Sequence, residues 1–131
     1  MNKQKIQLLK DYLLKSGFCS NESLQLDVIN GLTDVPVFNE STYSKKTNVR
    51  VFFENIKKES VDFAIALISI FLRNYEANHP PIEHQQPLLN KDTCNLFVDI
   101  ELTEFLQENI DADNKLTITY CNKPIELNVL I

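Results

Sequence analysis

Residues 60–76 read SVDFAIALISIFLRNYE, and the architecture turns on this stretch. Val61, Ile65, Ile68, Leu72 and Tyr75 recur at three- and four-residue steps, which is one face of an α-helix. Phe63, Ala66, Leu67, Ile70 and Phe71 carry apolar surface around most of the remaining circumference. Asp62, Ser69, Arg73 and Glu76 form a narrow polar stripe. Ser60 is placed to cap the first turn with its hydroxyl, and Asp62 lies where the positive end of the helix dipole favours an anion. Pro80 and Pro81 stop any continuation. A helix apolar nearly all round needs cover on two sides. A sheet on one side, with a second helix or a neighbouring copy of the chain on the other, meets that need.

Working outward, residues 2–16 predict an amphipathic helix with Ile6, Leu9 and Leu13 as its seam, widened by Leu8 and Tyr12. Gly17 is placed to end it in the left-handed conformation. Leu24, Leu26 and Val28 alternate with Gln25, Asp27 and Ile29 as in a half-buried strand, and Asn30-Gly31 predicts a turn. Residues 32–47 then read as a long irregular loop containing Phe38 and Tyr43, and long loops are often functional.

Residues 48–56 alternate again, with Val49, Val51 and Phe53 inward. Beyond the central helix, residues 77–94 carry Pro80, Pro81, Pro87, His79 and His84 with little periodicity. This segment reads as a contact arm that orders on docking, with Ile82, Leu88 and Leu89 as apolar anchors. Leu96, Val98, Ile100 and Leu102 make a third strand whose outward side carries Asp99 and Glu101. Residues 111–114 are a turn cluster, and strands follow over 115–121 and 125–131. The whole, residues 1–131, is expected to be one α+β domain: a mostly antiparallel sheet of about five strands with two main helices packed on it.

Composition limits the function. The 131 residues are 44% hydrophobic, which suits one ordinary core, and the formal net charge is −5. Residues 1–94 are balanced, whereas 95–131 hold seven acidic side chains against two basic ones. Such a surface repels nucleic acid, so sequence-specific binding to it is not expected. Cys19, Cys94 and Cys121 are sparse and form no C-x-x-C pair, as in reduced thiols. Lys10 and Asp11 interrupt the first apolar run too early for a signal peptide, and the uncharged stretch 63–72 is too short for a membrane span. A soluble intracellular chain without membrane contact is the expectation.

His79-Pro-Pro-Ile-Glu-His84 could suggest zinc ligation, but its prolines forbid the helical spacing of zinc peptidases. No nucleophile signature surrounds Cys94 or Cys121, and two glycines in the whole chain leave no phosphate-cradling loop. No catalytic residue, cofactor site or metal site is therefore assigned.

Several segments together resemble one family, the small R-type tail completion protein of contractile-tailed phages, encoded beside an S-type partner. The matching features are the amphipathic start, Leu26-Asp27-Val28-Ile29-Asn30-Gly31, Asn48-Val49-Arg50-Val51, Phe71-Leu72-Arg73, Asn78-His79-Pro80, Asp99-Ile100-Glu101-Leu102-Thr103-Glu104, and Pro124-Ile125-Glu126-Leu127. The family usually shows an extra strand-like segment before the Leu-Thr-Glu triplet; here 97–100 and 102–104 are continuous.

The resemblance implies a tail-terminator-like fold and a structural role without enzymatic activity. Such a protein forms a ring, hexameric in similar proteins, on the head-proximal end of the tail tube. The ring ends tube polymerisation and prepares head-tail joining. The implied partners are further copies of the chain, the tail tube protein, and the head connector or S-type protein. The implied location is the tail of a phage or prophage-derived particle, and the host cytoplasm during assembly. Phe38, Tyr43, Ile82, Leu88 and Leu89 are the candidate interface residues. The alternative is a small non-catalytic adaptor module unrelated to tails.

Overall fold

Three alternating segments, around residues 24–28, 49–53 and 96–102, become three neighbouring antiparallel strands whose apolar sides share one core, except that Val28, expected inward with Leu24 and Leu26, lies beside a bulge and is 58% exposed. The computed structural model describes residues 4–34, 42–76, 80–110, 115–120 and 123–130, with side chains described over 4–31, 44–76 and 80–105. The elements in chain order are α1 (Lys5–Lys15), β1 (Leu24–Asp34), β2 (Thr42–Lys57), a 3-10 turn (Lys58–Ser60), α2 (Val61–Tyr75), β3 (Glu83–Gln85), β4 (Thr93–Ile110), β5 (Lys115–Tyr120) and β6 (Lys123–Leu130). The sheet order is β1-β2-β4-β5-β6, and every pairing is antiparallel. β3 lies off this path and pairs with β4 at residues 97–99. The expected α+β domain of an antiparallel sheet and two helices is what forms.

α1 buries Leu9 and Leu13, with Ile6, Leu8 and Tyr12 packed around them. It ends at Gly17, whose φ of +72° suits a residue without a Cβ. No atom lies within 4 Å of the place a Cβ would take, so the cost of Gly17→Ala is backbone strain alone. Urea unfolding should show a loss of about 1–2 kcal/mol; an unchanged midpoint would refute the left-handed cap.

Asn30-Gly31 does not turn the chain. β1 passes through it with a bulge between Val28 and Asn30, and Asn30 then pairs with Asn48 and Gly31 with Thr47. Ile29 is the extra residue that the bulge absorbs. The expected loop 32–47 is correspondingly mostly strand: β1 continues to Asp34 and β2 begins at Thr42. Local polarity suggests a loop, but β2 has ladder partners on both sides here, Asp34 at Ser44 in β1 and Gln107 at Thr42 in β4. Those backbone pairings override weak local propensity.

α2 forms over the expected residues, but its start differs. Ser60 makes no side-chain capping hydrogen bond, because it is the last residue of the 3-10 turn and itself helical in φ and ψ. Asp62 does occupy the first turn. The buried face is Val61, Ala64, Ile68, Phe71 and Leu72. Leu72 and Ile68 therefore lie on the seam as expected, whereas Tyr75 is half exposed and stacks on Phe71 at 4.5 Å between ring centroids. α1 lies against α2: the Tyr12 hydroxyl donates to the Leu67 carbonyl at 2.8 Å, and the Tyr12 and Phe71 rings are 5.6 Å apart.

β4 is one continuous strand, in keeping with the continuity of 97–104 in the sequence. One of its edges pairs with β2 along most of its length, and the other is shared by β3 and, further along, β5. The core is a single cluster between the sheet and the two helices, and Phe53, Phe71, Leu9 and Leu13 are its largest fully buried members. Among the described residues, no helix is long and apolar enough to cross a membrane.

Candidate functional site

Of the segment expected to be a contact arm, residues 77–79 lie outside the described residues, and residues 83–94 are tied back onto the sheet. β3 hydrogen-bonds along β4, Leu88 bridges to Cys94, and a tight turn over 88–93 joins them. Within that turn the Leu89 and Asn90 amides donate to the Thr93 carbonyl, at 3.1 and 3.3 Å. The Asn90 Oδ1 accepts from the Asp92 and Thr93 amides at 2.8 and 2.9 Å. These bonds order the segment without a partner, which corrects the expectation of ordering on contact. The cause is the free edge of β4, which offers backbone partners close by in sequence.

Of the five candidate interface residues, Leu88 and Leu89 are 61% and 51% exposed at this turn. They form an adjacent apolar pair on a rigid base. Ile82 is instead half-buried against the domain's own core and is not available as an anchor. Tyr43 pairs through its backbone with Leu106, but its side chain, like Phe38 as a whole, lies outside the described residues.

The outward face of α2 is a second apolar surface. Phe63 is 53% and Ile70 41% exposed, Ala66 lies between them, and the Phe18 ring sits 5.4 Å from Phe63. The expected polar stripe is thus only partly polar. Asp62 and Arg73 are on it, but Glu76 turns inward and is buried. Lys5 Nζ donates to Glu76 Oε1 and to the Tyr75 carbonyl, each at 2.9 Å, and the Thr103 amide donates to the same Oε1 at 2.9 Å. The Lys5 amide donates to Glu104 Oε1. This cluster joins the start of α1, the end of α2 and the middle of β4. Beside it lies a cleft lined by Ile6, Val28, Val49 and Leu102 on its apolar side and by Gln4, Lys45, Thr47 and Glu104 on its polar side.

The sheet's other face carries the expected outward carboxylates. Arg50 Nε and Nη2 donate to Asp99 Oδ1 and Oδ2 at 2.8 and 3.0 Å, a bidentate pair across β2 and β4. That hydrogen bonding, with the guanidinium charge, holds the Asp99 carboxyl below the usual carboxylate range. The Arg50 guanidinium also lies over the Phe97 ring, which stacks on Phe52 at 4.7 Å. Asp99 is therefore engaged in a structural pair and not poised with Glu101 as an acid-base couple.

His84 is exposed on β3, and His79 lies outside the described residues. Among the described residues, no three histidine, cysteine or acidic side chains come together as a metal cluster would require. Cys94 is fully buried, and burial pushes the half-buried Cys19 thiol up, away from thiolate chemistry. Comparison with family models, curated proteins and solved structures finds no match to this chain.

Proposed function

We propose that this chain is a structural tail completion protein of a phage or prophage-derived particle. It sits as a ring of copies on the head-proximal end of a tail tube, ends tube growth and prepares head-tail joining. The observation that carries this reading is β4. Its 18 residues span about 60 Å at roughly 3.3 Å per residue and bear two unlike ends. One end starts from the Leu88–Leu89 turn beside the helix-covered core. The other runs on to pair with β5. A cap has to meet the tube on one side and the connector on the other, in a fixed relation. A single continuous strand supplies that relation without a hinge.

Complementation of a tail completion defect tests this. Leu88→Asp with Leu89→Asp changes only exposed side chains, so folding should move by no more than about 0.5 kcal/mol per site. Electron microscopy should then show headless tails or tails of uncontrolled length. Replacing His79 and His84 by Gln should leave assembly intact. Normal particles from the double leucine variant would overturn the reading, as would loss of assembly from the histidine changes alone.

A further inference from the structure

The outward face of α2 matches its own reverse. At about 100° per residue, Asp62, Phe63, Ala66, Ile70 and Arg73 fall within roughly 100° of helical arc, and all of them are exposed. Asp62 and Arg73 lie on one flank of this stripe, Phe63 and Ile70 on the other, and Ala66 between them. In an antiparallel pair related by a two-fold axis near residues 66–67, each flank meets the same flank of the other copy in reversed order. Asp62 then faces Arg73 of the second copy, and Phe63 faces Ile70. Ala66, the smallest of the set, sits by the axis and lets the backbones approach.

We propose that two copies of this chain pair antiparallel through α2. Charge complementarity selects a second copy as the occupant. Among the described residues neither the Asp62 nor the Arg73 side chain makes an ion pair or a hydrogen bond, so both are left for an external partner. The acid lies in the first turn and the base in the last, where each complements the dipole of its own helix; the attraction across the pair is that of Asp62 for Arg73. The interface is isologous: every contact occurs twice, and every mismatch would too. One helix face is smaller than the roughly 1,600 Å² of a stable complex, so pairing is weak and concentration-dependent. It closes at two copies and does not rest on the tail-capping reading, whose ring needs a different, head-to-tail contact.

Sedimentation velocity of the full chain, from micromolar to millimolar concentration, reads the pairing directly. The wild type should pass from one-copy to two-copy mass. Asp62→Arg or Arg73→Asp alone places like charges opposite each other at two places per pair and should weaken pairing at least about tenfold. The combined exchange, D62R with R73D, should restore it, while circular dichroism shows all variants folded. A wild type that stays monomeric throughout would overturn the proposal, as would single reversals without effect or a double exchange that fails to rescue. A larger ring indifferent to these changes would overturn the α2 pairing and leave the tail-capping reading standing.

Discussion

Phe53→Ala should destabilise the domain by about 3–5 kcal/mol, the upper range for truncation of one side chain. Phe53 is fully buried, lies on the inward side of β2, and has Leu24 and Leu96 as its neighbours in β1 and β4. The Phe18 ring meets it edge-on at 5.7 Å. Truncation removes the ring's transfer free energy and leaves a cavity that three paired strands cannot collapse to fill. Leu72→Ala, on the buried face of α2, should follow at about 2–5 kcal/mol. Phe63→Ala is the control, because Phe63 is the same residue type half exposed on the far side of α2, and it should cost less than either. Urea unfolding of the three variants gives the ranking. If Phe63→Ala were the most costly, the assignment of the inward faces would be wrong.

Glu76→Ala should cost about 2–3 kcal/mol, although residue 76 lies at a helix end, where substitutions are usually mild. A carboxylate at a helix C-terminus opposes the dipole, so its placement needs a compensating group, and Lys5 supplies one. The Lys5 ammonium donates both to Glu76 and to the Tyr75 carbonyl of the last helical turn. The pair is mostly out of solvent, with side-chain exposures of 21% for Lys5 and 7% for Glu76. Alanine would leave the ammonium half-desolvated and the Thr103 amide without its acceptor. Glu76→Gln keeps an acceptor for Thr103 but loses the charge, and should fall between wild type and alanine. A Lys5→Ala, Glu76→Ala cycle should give a double variant less destabilised than the sum of the singles. Additive losses, or a Glu76→Ala change within about 0.5 kcal/mol, would remove the cluster from its role in tying α1, α2 and β4 together.

These two residues mark the limit of what local pattern conveys. Phe53 is legible from its segment, because period-two alternation specifies which side of a strand meets the core. Glu76 is not: on the helical wheel it belongs with Asp62 and Arg73, and only the approach of Lys5 and Thr103 from distant parts of the chain draws it inward. Ile82 fails as a surface anchor for a similar reason. Nothing in a proline-rich, aperiodic segment announces that β4 has an unoccupied edge on which β3 can lie. Leu88 and Leu89, at the tip of that hairpin, are exposed as expected.

Local pattern was enough for the α+β class, both helices, the inward faces of β2 and of β4 over residues 96–102, and the Gly17 helix end; in β1 it held for Leu24 and Leu26 but not for Val28, which is 58% exposed. Each is a matter of periodicity or of one residue's own backbone freedom, and neither needs a distant partner. Long-range pairing was required before Asn30-Gly31 could continue a strand, before 42–47 could pair on both sides, and before the segment after α2 could become an edge hairpin. Packing of the layers likewise settled which apolar side chains of α2 remain outside. A backbone amide or a helix face has no preference that its own residues can express when its partner belongs to another strand or layer. The ladder or the packed layer has to form before the choice exists.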